Sequence, residues 1–499
     1  MATSGDNFTL HLTLDLPDEA ATAGFAEDLA VCLAAGDVVA LSGGLGAGKT
    51  TLARALLRAL ADDPSLEVPS PTFTLVQTYS THRLNVSHFD LYRLAGPDQL
   101  DEIAFGDAVV DGAVVVEWPE RAGERLPPDT LTIALEIVDS GRRAVVTGRG
   151  RLASRLARSR TARAFLDRSS WLGAARRHLQ GDASTRTFER IAVGSRRAVL
   201  MDWPPGSQLP EGDPRAPYRA RGVGAYVAVA GALRGAGMSA PEIYAADMAA
   251  GFVVMEDLGN DGILVDGAPA ADRYSFVIDA LAALHAARRP GALPLPDGEV
   301  HRLPALDRGA LIAEIGNYID AYVPSAIGRP LAEAARAEYL AIWSDLADRL
   351  TATGEKNWVL FDVQSPNLFW LSERDGIGRV GVVDFQDMFF GPPAYDVASI
   401  CQDARVTIPV ALERYLAERY VALRQASNPG FDTVAFRIAY AISAASRTTK
   451  NLGTFARLIG DGKHRYINHL SRTREYLARA LAHPVLSPLA VWYEKNLIP

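Results

Sequence analysis

The sequence predicts an α/β protein made of two unlike halves, and three observations carry this prediction. A chain of 499 residues is long for one core, because domains of about 150 residues are typical. An apolar run followed by a glycine-rich loop lies near the N-terminus, and after about residue 178 apolar segments that end in acidic residues begin. Apolar residues make up 48% and charged residues 22%, a globular balance that excludes a disordered, collagen-like or disulfide-scaffold chain.

Charge is distributed unevenly along the chain. Residues 1–150 carry 10 Lys and Arg against 22 Asp and Glu, residues 151–177 carry 8 Arg against one Asp, and residues 178–499 carry 33 against 36. We therefore expect a first domain at 1–150, a basic linker at 151–177 and a second domain at 178–499. A helical linker that docks on the acidic first domain is one interpretation. A nucleic-acid contact is the alternative, and the scarcity of aromatic residues among the arginines disfavours it.

The cellular compartment is predicted from the cysteines and from apolar run lengths. The two cysteines, Cys32 and Cys401, are far apart in sequence, which favours a reducing compartment over a structural disulfide. The N-terminal segment lacks a basic region followed by an apolar one, and no uncharged apolar stretch reaches the roughly 18 residues of a membrane span. A cytoplasmic protein with no membrane contact is the expectation.

A phosphate-binding loop is predicted between a strand and a helix near the N-terminus. The sequence GDVVALSG is followed by GGLGAGKTT and then by LARALLRAL, whose leucines share one helical face. This matches G-x-x-x-x-G-K-[ST], in which backbone N–H groups and the helix N-terminus surround nucleotide phosphates, the lysine reaches the β/γ-phosphates and the hydroxyl binds Mg²⁺. The nucleotide-binding residues expected here are Gly43, Gly46, Gly48, Lys49, Thr50 and Thr51. This half is therefore expected to be a P-loop NTPase domain.

Two acidic residues lie where predicted strands end. Asp90 follows the short extended segment VSHF, and Glu117 ends the apolar run AVVV. Because ligands of open α/β sheets gather at the carboxyl ends of strands, both are candidates for the Mg²⁺ site and for orienting the attacking water. A surface acid at a strand end is an equally good interpretation of Glu117. His88 is expected to be a packed or solvent-facing histidine.

Four linked motifs carry a family resemblance. They are GGLGAGKTTLARALL, SPTFTLVQTY (70–79), HFDLYRL (88–94) and VEWPE (116–120). In order and spacing they resemble the TsaE family, the small ATPase of the bacterial tRNA threonylcarbamoyladenosine machinery, over about residues 8–148.

The resemblance implies further site residues and partners. It implies a switch-like loop near the γ-phosphate, formed by Ser70, Pro71, Thr72 and Phe73. It places Asp90 and Glu117 around Mg²⁺ and the attacking water, with Trp118 beside the nucleotide. Members of the family hydrolyse ATP to support a complex of TsaB and TsaD that modifies tRNAs, so partners like these are implied, with tRNA contact indirect at most.

The second half carries residues in the pattern of a kinase active site. Asp362 and Asn367 are five apart, as in a kinase catalytic loop, and Asp384 ends an apolar strand 17 residues later. Asp362 would accept the proton of the acceptor hydroxyl, while Asn367 and Asp384 would hold Mg²⁺ against the ATP phosphates. Asp396 and His285 are expected to be structural. The sequence thus predicts a two-lobed, protein-kinase-like domain.

The nucleotide-binding part of this kinase has no lysine, since residues 50–355 contain none. Met201 stands on the strand AVLMD, where a kinase would place its phosphate-binding lysine. We expect arginines or backbone N–H groups of an upstream turn to replace it. The candidate nucleotide-binding residues are Ser184, Thr185, Arg186, Arg190, Arg197 and, at the bend after GFVVM, Glu256.

The second half also resembles a known family. The segments GDASTRTFERI, VLMDWPP, VMEDLG, SPNLFWL, VDFQD, GPPAYDVASICQDAR and LGTFARL are similar to the anomeric N-acetylmuramate/N-acetylglucosamine kinases (AmgK) of the aminoglycoside phosphotransferase superfamily, over about residues 165–499. The resemblance implies transfer of the ATP γ-phosphate to the C1 hydroxyl of an amino sugar in cell-wall recycling. It also places Arg447 and Lys450 near the acceptor, although a solvated helix face is an equal alternative.

The catalytic loop departs from that family at two positions. Phe361 and Gln364 stand where the family has Arg and His. Because Asp362, Asn367 and Asp384 are all retained, an active amino-sugar kinase is the preferred prediction. The alternatives are a kinase for another small alcohol or an aminoglycoside, and a pseudokinase scaffold that regulates the ATPase.

Overall fold

The structure is a computed structural model, and it describes residues 8–139, 141–179, 186–207, 209–210, 212–352 and 354–497. The predicted nucleotide-binding residues Ser184 and Thr185 lie outside the described residues. Within the ranges given, no helix combines the length and the apolar character needed to cross a membrane.

Strands and helices alternate in the first third of the chain, and helices dominate the rest. The strands are β1 (Thr9–Leu16), β2 (Val38–Ser42), β3 (Val76–Ser80), β4 (Asn85–Asp90), β5 (Ala113–Glu117), β6 (Leu131–Val138), β7 (Gly141–Arg149), β8 (Ala175–Leu179), β9 (Thr187–Val193), β10 (Arg196–Asp202), β11 (Ile243–Asp247), β12 (Phe252–Met255), β13 (Leu264–Val265), β14 (Ala268–Pro269), β15 (Ala292–Pro294), β16 (Val300–Arg302), β17 (Asn357–Val359), β18 (Leu368–Trp370), β19 (Val380–Val382) and β20 (Phe389–Gly391). The α-helices are α1 (Glu19–Ala30), α2 (Lys49–Ala61), α3 (Phe105–Asp111), α4 (Gly150–Arg168), α5 (Val223–Gly235), α6 (Ala271–Ala286), α7 (Arg308–Asn317), α8 (Val323–Ile327), α9 (Glu333–Ala352), α10 (Ala394–Cys401), α11 (Val410–Ser427), α12 (Thr433–Gly460), α13 (Leu470–Leu481) and α14 (Ser487–Leu497).

A seven-stranded sheet organises the N-terminal domain, in the order β1-β7-β6-β2-β5-β4-β3. Its centre is parallel, because β2 pairs in parallel with β5 and β6, and β4 pairs in parallel with β5. The central strands are apolar on both faces, as parallel strands covered by helices are. Along β2, Val39 and Leu41 join the core beneath α1 and α2, whereas Val38 and Ala40 join the core beneath α3. The carboxyl ends of β2, β4 and β5 therefore meet at one edge.

The chain divides into two compact units: Met1–Trp203 with Phe252–Met255, and Pro204–Gly251 with Glu256–Pro499. The first unit thus continues past the end expected for the first domain. The basic segment forms α4, whose Leu152, Ala153 and Leu156 are part of the core that α1 and α2 share. The helical, docked interpretation of this segment agrees with the structure. The same unit also contains the antiparallel strands β8, β9, β10 and β12.

The second unit is mainly helical. The 28-residue helix α12 buries an alanine- and serine-rich face, which lets neighbouring elements approach closely. One close contact is at Gly453, where an added Cβ would lie 2.4 Å from the backbone nitrogen of Tyr318. The residues predicted for catalysis lie between the paired strands β17 and β20, on either side of the β18–β19 hairpin.

Candidate active sites

The glycine-rich loop follows β2 and leads into α2, as the sequence predicts. Gly43, Gly46 and Gly48 all have positive φ, at 137°, 77° and 104°, which is the region that favours glycine. A Cβ on Gly43 would also lie 2.4 Å from the carbonyl oxygen of Leu135. The loop needs glycine at this position for space as well as for backbone conformation.

Lys49 begins α2 and is directed back over its own loop. Its Nζ donates to the carbonyl oxygens of Gly43 (2.8 Å) and Gly44 (2.9 Å) and lies 3.6 Å from the centre of the Trp118 ring. Burial lowers the pKa of Lys49, and the nearby Glu117 acts in the opposite direction. Thr51 occupies the first turn of the same helix.

Glu117 joins the loop to the sheet. Its Oε2 accepts a hydrogen bond from the Thr50 hydroxyl at 2.9 Å, and its Oε1 lies 3.0 Å from Nε2 of His88. Both Glu117 and His88 are buried. The side chain is therefore not a surface acid, and the alternative interpretation of Glu117 does not apply. His88 is packed, as expected, but it is packed against a predicted catalytic residue.

Asp90 is the cross-strand partner of Glu117 in the β4–β5 register. Its Oδ2 accepts from the hydroxyls of Ser70 (2.6 Å) and Thr72 (2.9 Å). Asp90 thus holds the SPTF segment at the same sheet edge as the glycine-rich loop. Phe73 follows in that segment with its side chain exposed, 83% overall, and the Arg93 guanidinium lies over its ring.

The oxygen ligands of a magnesium site are present here. Thr50 and Glu117 are already in contact, and hydroxyl and carboxylate oxygens are the donors that Mg²⁺ takes in proteins. The residues present therefore fit the ion.

Arg142 on β7 was not found by sequence reasoning. Its Nε donates to the carbonyl oxygen of Ala47 at 3.0 Å, and its Nη2 donates to that of Gly46 at 3.2 Å. By binding these carbonyls, Arg142 braces the loop from the side of β7. No motif marks the residue, because it lies about 95 positions away in sequence.

The kinase catalytic loop lies between β17 and β18. Asp396, fully buried in α10, accepts from the backbone nitrogens of Leu360 (2.6 Å) and Phe361 (2.9 Å). Burial raises the pKa of Asp396 to about 7, against the effect of these two hydrogen bonds. This is the structural role expected for Asp396, and it fixes the backbone just before Asp362.

Hydrogen bonds link Asn367 to Asp362 and to the residue that precedes Asp384. The Asn367 side-chain nitrogen donates to the carbonyl oxygen of Asp362 at 2.9 Å, and the backbone nitrogen of Val383 donates to the carbonyl oxygen of Asn367 at 3.0 Å. Gln386 Nε2 donates to Asp384 Oδ1 at 3.1 Å. With its nitrogen so directed, Asn367 has its oxygen as the possible ligand, and together with Asp384 it fits Mg²⁺.

Two cations from α12 contact Asp362. Its Oδ1 lies 3.3 Å from Nη1 of Arg447 and 3.2 Å from Nζ of Lys450. Arg447 also donates to the carbonyl oxygen of Phe361 at 2.8 Å, and Lys450 Nζ lies 3.7 Å from the centre of the Phe361 ring. These side chains are not on a solvated helix face, which removes that alternative.

Electrostatics hold Asp362 in its ionised form. Burial alone would raise the pKa of Asp362, but the cations Lys450, Arg447 and Arg219 hold it well below its usual range. Burial lowers the pKa of Lys450, opposed by Asp362 and Glu314.

Arg219, Glu314 and Asp403 are site residues that sequence reasoning missed. Arg219 Nη2 donates to Glu314 Oε1 at 2.5 Å, and its guanidinium lies 5.0 Å from the Phe361 ring centre. Asp403 Oδ2 accepts from the backbone nitrogen of Ser365 at 2.7 Å. No motif marks Arg219 or Glu314, and Asp403 lies in the segment GPPAYDVASICQDAR without having been given a role there.

The remaining predicted residues have other contacts. Glu256 accepts from the backbone nitrogen of Glu242 at 3.2 Å and forms an ion pair with Arg374. His285 is buried with Nδ1 2.9 Å from the Tyr420 hydroxyl, and burial lowers its pKa to about 3, which is consistent with a structural role.

The remaining nucleotide-binding candidates of the kinase, Arg186, Arg190 and Arg197, are on or beside β9 and β10. The Arg186 guanidinium lies 5.3 Å from the Trp203 ring centre. Met201 is fully buried in β10, Arg190 lies on β9, and Arg197 is exposed.

Comparison with known proteins gives a family for each half of the chain. Residues 16–145 match the family model of the threonylcarbamoyl adenosine biosynthesis protein TsaE, and residues 175–435 match that of the phosphotransferase enzyme family. An N-acetylmuramate/N-acetylglucosamine kinase of Caulobacter vibrioides is 36% identical over 353 residues, covering 66% of this chain and 94% of the relative.

Two relatives match the first half. A tRNA threonylcarbamoyladenosine biosynthesis protein TsaE of Rickettsia felis is 36% identical over 130 residues, covering 26% of this chain and 75% of the relative. The TsaE protein of Aquifex aeolicus is 38% identical over 130 residues, covering 26% and 90%. Both families consist of enzymes that use ATP with Mg²⁺. The chain therefore belongs to the TsaE family of ATPases through its N-terminal part and to the phosphotransferase enzyme family through its C-terminal part.

Proposed function

We propose that the protein is a bifunctional enzyme. Its first site hydrolyses ATP in support of tRNA threonylcarbamoylation, with TsaB-like and TsaD-like partners. Its second site phosphorylates N-acetylmuramate (MurNAc) or N-acetylglucosamine (GlcNAc) at the anomeric C1 hydroxyl. The observation that carries the kinase proposal is the grouping of Asp362, Asn367 and Asp384, in a chain that aligns with 94% of an amino-sugar kinase at 36% identity.

The kinase reaction follows from the position of Asp362. Its carboxylate orients the acceptor hydroxyl and accepts its proton as the acceptor oxygen bonds to the γ-phosphorus. The bond from that phosphorus to the β–γ bridging oxygen breaks, and ADP leaves. Because Lys450 and Arg447 hold Asp362 ionised, the carboxylate is ready to accept a hydrogen bond at neutral pH.

Mg²⁺ would be held in this site by Asn367 and Asp384, where it neutralises charge on the phosphates. The backbone hydrogen bond from Val383 to Asn367 ties the two ligand-bearing segments together.

The departures at Phe361 and Gln364 do not disconnect the catalytic residues. Phe361 stacks on Tyr395, with ring centres 5.1 Å apart and an interplanar angle of 5°. The Lys450 ammonium also lies over the Phe361 ring. The backbone carbonyl oxygen of Gln364 accepts a hydrogen bond from the backbone nitrogen of Asn367 at 2.9 Å. These contacts favour an active kinase over a pseudokinase.

The decisive kinase experiment is an acceptor panel with the full-length protein and Mg-ATP. MurNAc and GlcNAc are compared with an aminoglycoside and choline, and the product phosphate is located by NMR. We expect phosphate at C1 of an amino sugar, and much slower product formation with Asp362→Asn. Phosphate on another acceptor would replace the amino-sugar assignment, and no product on any acceptor would overturn the kinase proposal and favour the scaffold alternative.

The ATPase proposal rests on Lys49, Thr50 and Glu117. Lys49 lies on two loop carbonyls, and phosphate oxygens of a nucleotide would compete for the same ammonium. Thr50 and Glu117 would hold Mg²⁺, and Asp90, through Ser70 and Thr72, links that edge to a loop that could respond to the γ-phosphate.

The ATPase experiment measures ATP hydrolysis with and without a purified TsaB–TsaD pair. We expect stimulation by the pair, and none with Lys49→Ala. A rate that stays flat on adding the pair would favour a stand-alone ATPase or a small-molecule kinase.

A further inference from the structure

Helix α4 connects the ATPase domain to the strands of the kinase through buried charge. Towards the ATPase domain, its Arg160 and Arg163 both bind the carboxylate of Asp28, which is on α1 and fully buried. The Ser159 hydroxyl also donates to the Asp28 carbonyl oxygen at 2.8 Å. This face of α4 is thus fixed to α1 by charge as well as by apolar packing.

Towards the kinase strands, α4 presents Arg158. Its guanidinium binds both carboxylate oxygens of Asp202, with Nε at 3.0 and 3.1 Å and Nη2 at 2.5 Å from Oδ1, and lies 3.9 Å from the centre of the Phe252 ring. Asp202 and Phe252 are cross-strand partners in the β10–β12 pair. Phe165, two turns further along α4, stacks on Phe252 with ring centres 5.6 Å apart.

Arg176 on β8 joins the two sides. Its Nη1 donates to Asp28 at 2.6 Å, and its Nε and Nη2 donate to Glu189 on β9 at 2.7 and 2.8 Å. The same Nη1 donates to the carbonyl oxygen of Ser159 at 2.9 Å. The Arg176 side chain is fully buried, so the ion pairs are shielded from solvent and little screened by salt.

The strands held in this way carry the predicted ATP-binding residues of the kinase. β9 begins directly after Arg186, and β10 contains Met201, next to Asp202. We propose that the ATPase domain is the intramolecular partner of these strands, and that Arg158 and Arg176 are positioning residues for ATP in the kinase reaction. The proposal rests on the kinase function proposed above and adds a reason for the two enzymes to share one chain.

The dependence of kinase ATP binding on these ion pairs should be specific. A flexible tether would only raise local concentration, whereas a buried charge network fixes the position of what it binds. Among the described residues of these strands, Arg158 contacts Asp202 and Phe252, so its loss should act first on the strands. The predicted phosphate-binding turn lies in the sequence between β8 and β9, and β9 pairs with β10, so a looser β10 should weaken ATP binding more than acceptor binding.

The test uses full-length Arg158→Met, with Arg158→Lys as the conservative variant. Arg143→Met is the matched control, because Arg143 forms an exposed pair with Asp15 on β1. We expect Arg158→Met to raise the kinase KM for ATP about tenfold. KM for the amino sugar and the ATPase rate should stay within about twofold. Arg158→Lys should recover part of the ATP affinity, and Arg143→Met should behave as wild type.

Two outcomes would overturn the proposal. One is a KM for ATP within about twofold of wild type in Arg158→Met. The other is an equal rise in both Michaelis constants with a fall in ATPase rate, since that pattern reports general destabilisation.

A second measurement does not need sugar turnover. Hydrogen exchange over residues 187–202, with and without Mg-ATP, should show faster exchange and lost nucleotide protection in Arg158→Met. Unchanged exchange would contradict the proposal. If wild type phosphorylates no amino sugar, the function proposal fails while this readout still decides the role of Arg158.

Discussion

Both catalytic centres place a lysine on an aromatic ring, yet the two lysines have different partners. Lys49 lies 3.6 Å from the ring centre of Trp118 and Lys450 lies 3.7 Å from that of Phe361. Lys49 donates to neutral backbone carbonyls, whereas Lys450 donates to the carboxylate of Asp362. Lys49 is thus held by groups that an anionic ligand can replace, whereas Lys450 belongs to a standing ion pair.

The largest effects are expected when one site is mutated and both activities are measured. Asp362→Asn removes the proposed proton acceptor, so kinase kcat should fall by about 10²- to 10⁴-fold while ATP hydrolysis at the first site continues. Lys49→Ala should abolish ATP hydrolysis there and leave sugar phosphorylation intact. Each rate is measured separately, with sugar phosphate by NMR and ADP release without sugar. A variant that silences both activities would contradict two independent centres, as would a single bound ATP per chain at saturation.

Lys450→Met should have the next largest effect. Without the ammonium, Asp362 loses an opposite charge at 3.2 Å, and we expect kinase kcat to fall about 10²-fold with KM for ATP little changed. The pH profile should also move. In wild type the pKa of Asp362 is held low, so activity should persist well into acid. In the variant this pKa rises, and the acidic limb of kcat should appear at higher pH.

Lys450→Arg is the matched control for charge. It keeps a cation above Phe361 and should restore the acidic limb at least in part, even where the rate is reduced. An acidic limb that does not differ between Lys450→Met and wild type would show that Lys450 does not set the ionisation of Asp362.

Arg142→Met tests whether Arg142 supports the glycine-rich loop of the ATPase site. Loss of the hydrogen bonds to Ala47 and Gly46 should loosen the glycine-rich loop and weaken ATP binding at the first site about tenfold. Calorimetric titration measures the affinity, and the neighbouring Arg143→Met serves as a control. Equal affinities in the two variants would exclude the brace.

Phe361→Leu should have the smallest effect. Leucine keeps apolar volume against Tyr395 but removes the ring face beneath Lys450, a contact of about 0.5–2 kcal/mol. We expect a several-fold loss of kcat and a small upward shift of the acidic limb. Phe361→Tyr, which keeps the ring, should lie closer to wild type. A reversed order would show that packing, and not the ring, matters here.

Sequence patterns identified both folds because each depends on local order. The glycine-rich loop, its strand and its helix are contiguous, and the comparison with relatives confirms the family predicted from them. Asp362, Asn367 and Asp384 fall within 23 residues on either side of one short hairpin. Such local patterns can be recognised without knowledge of the tertiary structure.

Residues that reach a site across the fold could not be predicted in the same way. Arg142 and Arg219 look like ordinary surface arginines, and only the packing of β7 beside the loop, or of Arg219 against Glu314, gives them a role. Arg447 and Lys450 on α12 lie beyond the matched phosphotransferase segment, which ends at residue 435, and were predicted only through the family resemblance. The segment at 151–177 was interpreted from its charge, but the carboxylates that bind its arginines lie on distant elements.

Backbone conformation at the two centres has a consequence for how the protein can change. Trp118, Phe361 and Asp384 have φ of 59°, 75° and 61°, and they are three of the seven non-glycine residues with positive φ in the described part of the chain. Such conformations typically cost about 1–3 kcal/mol each. The substitution Asp384→Gly would relax the backbone while removing a proposed metal ligand, so mutational drift towards greater thermal stability would lead away from catalysis. Engineering that selects only for heat tolerance should therefore lose these side chains first.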